Sequence, residues 1–316
     1  MTTKDIILNP LKLSERIQSL DIMRGIVLLG ILLMNINGMG LAGAYEDPTV
    51  SGGSTGWDLA TWITTNMLFE GTMRALFSLL FGVGMFILLD RLEKKGAGIE
   101  AANIYFRRLT WLLVFGLIHG YLLLWTGEIL YNYALMGFLV YSFRNMNPKK
   151  LMFITLILFS IGSLWSYYDY KNDKKFVEQA ELAQSYKSMG KPLSKELKDA
   201  DEKWENRIWE RSPEAIAEYN SNMRKDYFSV VSFLAPINQH ENEHFPYRYD
   251  LWDVLSMMLL GIALFKLDIL SAEKSYKFYA FMTILGYLIG LSVNYYETQL
   301  IINSNFSLLG FSKSHI

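Results

Sequence analysis

Arg107-Arg108-Leu-Thr-Trp-Leu-Leu-Val-Phe-Gly116-Leu-Ile-His119-Gly120-Tyr-Leu-Leu-Leu-Trp125-Thr-Gly127-Glu128-Ile-Leu-Tyr131 reads as a basic pair, an apolar run, a short polar turn and the start of a second apolar run. A soluble chain gathers its apolar residues in periodic stripes, whereas these come in blocks divided by charged knots. The other residues repeat the pattern: of 316, 51% are hydrophobic and 15% aromatic, with no cysteine and a net charge of -1. The fold class expected is all-α, a polytopic transmembrane helix bundle.

Working outward, about seven spans are expected, over residues 22–41, 72–89, 109–125, 129–143, 151–167, 251–265 and 278–296. Each approaches the roughly 20 residues that cross about 30 Å of hydrocarbon. Residues 57–68 are too short and too rich in hydroxyls to span alone; with Gly71 as a break they read as an interfacial or re-entrant helix.

Lysine and arginine in the short connections set the orientation. With a cytoplasmic amino terminus, the inner side carries fourteen of them, from Lys4, Lys12 and Arg16 to Lys266, Lys274 and Lys277, while connections 43–56 and 126–128 carry none. The positive-inside rule then predicts a multi-pass protein of the cell membrane with its amino terminus in the cytoplasm. The first apolar run starts only at Ile22 and no small-residue cleavage site follows it, so it reads as a retained helix. Without cysteine there is neither a disulfide nor a thiolate metal site.

Three parts are expected: 1–168, with five spans and the interfacial helix; 169–250, a helical extracytoplasmic insertion; and 251–316, the carboxy-terminal membrane helices. The insertion holds 16 acidic and 13 basic residues, so its charges nearly cancel and argue against a nucleic-acid partner. Ser212-Pro213 signals a helix start, and Ile216, Tyr219 and Met223 then recur at helical spacing.

The same hairpin supplies the first candidate site. Of four histidines only His119 lies in a long apolar run, where an ionisable group costs a few kcal/mol and is kept for a partner or a task. Gly116 and Gly120 frame it and allow a neighbouring helix to come close. Glu128, beyond the Gly127 turn, can fold back to orient the imidazole as a general base. Asn35 and Asn37, near the outer end of the first span, can donate to a carbonyl or oxyanion. Asp21 and Arg24 can pair at the inner interface, and Glu70 and Arg74 can pair or line an outward cavity for substrate. Arg107 and Arg108 can meet the phosphates of a cytoplasmic cofactor. Each of these also has a structural reading, as an anchor, an interfacial amide or a helical ion pair. His240-Glu-Asn-Glu-His244 matches a zinc-protease pattern, but Pro236 and Pro246 bracket it, and no metal is expected.

Four stretches carry a resemblance to a family: Leu20-Asp21-x-x-Arg24-Gly25 with Gly30-Ile-Leu-Leu-Met-Asn35; Leu76-Phe77-Ser78-x-Leu80-Phe81-Gly82-x-Gly84; Gly116-Leu-x-His119 with Gly127-Glu128-Ile129-Leu130-x-x-Tyr133-Ala134; and Met258-Leu-Leu-Gly261-x-Ala263-Leu264. They resemble the YeiB-like bacterial membrane proteins (domain of unknown function 418). That family in turn resembles, through its first helix, transmembrane acetyltransferases typified by heparan-α-glucosaminide N-acetyltransferase. The resemblance implies a transferase that moves an acyl group from cytoplasmic acyl-CoA, such as acetyl-CoA, to an extracytoplasmic acceptor such as a glycan or lipid. It implies Arg24 on the inner side, Asn35 in the reaction centre and His119 as base. In the acetyltransferases a histidine follows the first-helix asparagine; the corresponding loop here offers Glu46 and Asp47. Family members usually continue through further spans, which implies that a chain ending at Ile316 is carboxy-terminally truncated relative to them.

Two other classes stay open. A proton-coupled transporter or exporter would use His119 and Glu128 as a relay, and a noncatalytic docking protein would use residues 169–250 as its surface. Lipid bilayer is the expected surrounding, and self-association into a homo-oligomer also stays open.

Overall fold

Apolar runs fold as helices because each backbone N–H and C=O is then satisfied within the segment, which hydrocarbon demands. The computed structural model describes residues 16–44 and 47–316; Lys4, Lys12 and Glu46 lie outside them. The described residues form α1 Gln18–Gly40, α2 Gly56–Leu68, α3 Thr72–Lys94, α4 Ile99–Tyr121, α5 Leu130–Phe143, α6 Pro148–Ser188, α7 Lys195–Glu210, α8 Pro213–Met223, α9 Tyr227–Phe245, α10 Val254–Lys266, α11 Tyr276–Asn303 and α12 Leu308–Ser314, and no strands. The fold is an all-α helical bundle.

Among the described residues five stretches are long and apolar enough to cross a membrane: Gln18–Gly40, Gly56–Lys94, Ile99–Tyr121, Pro148–Ser188 and Tyr276–Asn303. The chain is a membrane protein. Of the expected spans, α5 and α10 are the shortest, at 14 and 13 residues against the roughly 20 that cross the hydrocarbon unaided. Protein packing replaces lipid around them, and eight of the thirteen α10 residues are buried.

The third run shifts most. Helix α4 starts at Ile99, ahead of the expected Leu109, and stops at Tyr121. Ala101, Ile104, Tyr105 and Leu109 bury one face while Arg107 and Arg108 stay exposed, so helical periodicity rather than hydropathy sets its start. Beyond Tyr121 the chain turns, with Leu124 at φ 62° and the Trp125 N–H donating to the His119 carbonyl at 3.2 Å. The break at Gly71 is real, at φ 66°. Ser212 caps α8 as expected, accepting from Ala215 N–H at 3.1 Å.

Two compact units make up the chain. The first comprises the described residues up to Ile31 with Gly71–Phe159 and Val231–Ala280; the second comprises Leu32–Glu70, Ser160–Val230 and Phe281–Ile316. The expected boundary at 168/169 falls inside α6, a continuous helix of 41 residues. It continues because the Lys- and Glu-rich sequence past 168 keeps good helix formers and meets no breaker before Gly190.

In the first unit Tyr133, Met136 and Val140 of α5, Leu151 of α6, and Val254, Leu255, Met258, Leu259, Ile262 and Ala263 of α10 form the main core. Helices α3 and α10 touch through glycine. A Cβ on Gly82 would lie 2.7 Å from Met258 Cα, and one on Gly261 would lie 3.0 Å from Leu79 C. Against α4, Gly137 makes room for the Leu109 side chain, and its carbonyl accepts the Tyr105 hydroxyl at 2.6 Å.

In the second unit Trp62 of α2 packs on Ile301 and Phe306. Asn66 Nδ2 donates to Thr298 Oγ1, and Asn294 Nδ2 to the Met67 carbonyl, both at 2.9 Å. Arg211 pairs with buried Asp47 and donates to the Phe306 carbonyl at 3.1 Å. Arg211→Ala leaves that carboxylate with only its Thr49 donors and is expected to destabilise the protein by about 1–2 kcal/mol. A lowered thermal midpoint in nanodiscs checks this, and an unchanged one refutes it.

Candidate functional site

The turn between α4 and α5 holds the site because a helix end and a helix start meet there. The first amides of α5 have no partner within the helix. Glu128 supplies one: its Oε1 accepts from Leu130 N–H and, at 3.1 Å, from Tyr131 N–H. Its other oxygen, Oε2, bonds His119 Nδ1 from the last turn of α4. The carboxylate is 3% exposed and the imidazole 38%, so the acid is sealed in while the ring can be reached.

Close packing makes this possible. A Cβ on Gly116 would lie 2.9 Å from Tyr131 Cα, so a glycine is required where α4 meets the start of α5. At Gly120 the same construction reaches Glu128 Cβ and Cγ at 3.9 Å, an ordinary contact. The expected glycine face therefore lies against α5, with the demand concentrated at Gly116. His119 lies in the last turn of α4, twenty residues after Ile99, because the helix begins well before the apolar run does. Buried Asn238 of α9 fixes that turn by donating to the Gly120 carbonyl at 2.6 Å. Nothing near Asn238 in sequence advertised this role. An amide placed on the apolar side of a helical pattern is the signal that was present.

The carboxylate fixes the tautomer. With Nδ1–H donating to Glu128, the lone pair is left on Nε2, which can take a proton from a substrate group.

A second polar cluster also lies in the first unit. Arg74, at the start of α3, pairs with Asp253 at 2.8 Å. Ser78 Oγ lies 2.5 Å from Tyr133 Oη and donates to the Arg74 carbonyl at 2.9 Å. Asp253 was missed, although an acid near the start of the expected 251–265 span, on the same expected side as Arg74, was legible. Asp21 and Arg24 do pair, at 3.1 Å, both about two-fifths exposed. The guanidinium of Arg24 also lies over α3, 3.1 Å from where a Gly84 Cβ would stand.

Arg107 and Arg108 are exposed on α4. Asn35, Asn37 and Glu70 belong to the second unit and His119, Glu128 and Arg74 to the first. His240 and His244 lie on α9, which runs through Pro236 despite the expected break; their rings stack at 4.2 Å. Among the described residues no group of three His, Cys, Asp or Glu could hold a metal ion.

These features define a class: a helical membrane protein whose α4–α5 turn carries an imidazole–carboxylate pair. No family model and no solved structure match the chain. It is 33% identical over 226 residues to "Uncharacterized protein YxaH" of Bacillus subtilis strain 168, covering 67% of this chain and 54% of that protein. It is 38% identical over 151 residues to "Uncharacterized protein YeiB" of Escherichia coli K12, covering 47% and 37%. To an "Uncharacterized 39.9 kDa protein in amylase 3'region" of Bacillus acidopullulyticus it is 31% identical over 159 residues, covering 50% and 43%. These relatives support a YeiB-like family for the chain, which spans about half or less of their length.

Proposed function

We propose that the chain takes part in transmembrane acyl transfer, from a cytoplasmic acyl-CoA to a hydroxyl or amine on an extracytoplasmic glycan or lipid. The observation that supports this best is the His119–Glu128 pair, with one oriented nitrogen and an accessible ring. In this reading the protein sits in the cell membrane with its amino terminus in the cytoplasm and the α4–α5 turn outside.

His119 Nε2 takes the acceptor proton as the acceptor oxygen or nitrogen attacks the thioester carbonyl. The tetrahedral intermediate then expels the thiolate, which the imidazolium protonates, leaving acylated acceptor and free thiol. Glu128 stabilises the imidazolium between the two steps. Arg24 offers a cation on the inner side, and exposed Arg107 and Arg108 two more, suited to the donor's phosphates.

The test is calorimetric binding of acetyl-CoA and longer acyl-CoAs to the purified chain, together with transfer of labelled acyl groups in vesicles. Binding lost in Arg24→Ala and kept in His119→Ala, with label transfer falling at least ~100-fold in His119→Ala, is the expected result. No binding of any acyl-CoA to folded protein overturns the reading. Substrate accumulation that collapses with the proton gradient would instead identify an exporter.

A further inference from the structure

Asp250 closes the π-turn Pro246–Asp250, which leads into α10. Such turns are rare and gather at functional positions. The Asp250 side chain is buried, and its Oδ2 accepts no hydrogen bond. Asn132 of α5, the helix against which the π-turn packs, is also buried, and its Oδ1 likewise has no donor. The charged and titratable groups around the acid are Arg74 from α3, Asp253 from the approach to α10 and Tyr133 from α5. Arg74 and Asp253 form the 2.8 Å pair described above.

One guanidinium thus faces two carboxylates. Asp253 holds an ion pair with it, while Asp250 is deeper and has an oxygen that nothing satisfies. A buried carboxylate without a donor is costly, and a proton removes that cost: it cancels the charge and turns an acceptor into a donor. It is also the one cation that needs no cavity.

We propose that Asp250 is a proton-binding site whose proton affinity is set by the Arg74–Asp253 ion pair beside it. Burial pushes the carboxyl up from its ordinary range to about 7; Arg74 opposes the rise and Asp253 adds to it. A buried acid of a membrane protein with one oxygen that accepts no hydrogen bond has the place that a proton-carrying group needs. The site is separate from His119 and Glu128 and stands whether or not the acyl-transfer reading does.

Infrared spectroscopy of the full chain in lipid, titrated from about pH 5 to about 9, tests this through the carbonyl band of a protonated carboxyl. A band that disappears with a midpoint near neutrality, and is missing in Asp250→Asn, is the expected result. Asparagine has the shape of the neutral acid, so this variant should fold like the parent. Asp253→Asn removes a like charge from beside Asp250 and the carboxylate that competes with it for Arg74, so the midpoint should fall by about one pH unit or more. A band that does not titrate in this range, or that survives unchanged in Asp250→Asn, overturns the site. An unmoved midpoint in Asp253→Asn overturns the role of the ion pair.

Discussion

Glu128→Gln is expected to leave the protein folded and to reduce acyl transfer about 10³- to 10⁴-fold, by moving one proton across the His119 ring. Leu130 and Tyr131 both present N–H groups to Oε1, so the glutamine must keep its oxygen there. Its amide nitrogen then faces His119 Nδ1 as a donor, and Nδ1 must accept. The ring proton moves to Nε2, and the nitrogen that faced the substrate as a base becomes a donor. Nitrogen chemical shifts of the imidazole, assigned by comparison with His119→Ala, check the tautomer independently of any activity. An unchanged tautomer would show that Glu128 does not set it. Glu128→Ala is a different experiment: it also uncaps α5, at a cost of about 1 kcal/mol or more.

The largest loss of stability is expected where α3 and α10 meet. A side chain on Gly82 has no flexible neighbour to push aside, since Met258 Cα and C would lie 2.7 and 2.9 Å from its Cβ. Gly261 faces the Leu79 backbone in the same way. Gly82→Val or Gly261→Val therefore drives the two helices apart and should cost more than about 3 kcal/mol, enough to remove most folded protein. Gly286 in α11, where a Cβ would meet nothing within 4 Å, is the control. Gly286→Ala should fold as well as the parent or better, because alanine is the stronger helix former. The yield of monodisperse protein and its thermal midpoint measure both. Equal tolerance at all three positions would refute the close approach.

Hydropathy located the membrane helices because apolar blocks have few other uses, and it failed where two signals overlapped. At α4 the basic pair looked like a membrane boundary, yet the helix passes through it because the burial pattern from Ala101 to Leu109 never breaks. At α5 and α10 the apolar runs pack largely against protein, and composition does not distinguish a run surrounded by lipid from one surrounded by protein. The His119–Glu128 pair was legible because its members lie nine residues apart on either side of a glycine turn. Arg74–Asp253 and Asn238–Gly120 join residues more than a hundred apart in sequence, and nothing local encodes such a meeting.

Helix α11 has none of its most apolar window buried by the rest of the chain, and Ile284, Tyr287, Leu288 and Val293 are all more than half exposed. Its 28 residues rise about 42 Å, against about 30 Å of hydrocarbon. The bilayer is therefore part of what defines this helix: a thicker membrane takes in more of it, and a thinner one makes it tilt or overhang. Its depth is a property of the lipid as much as of the sequence.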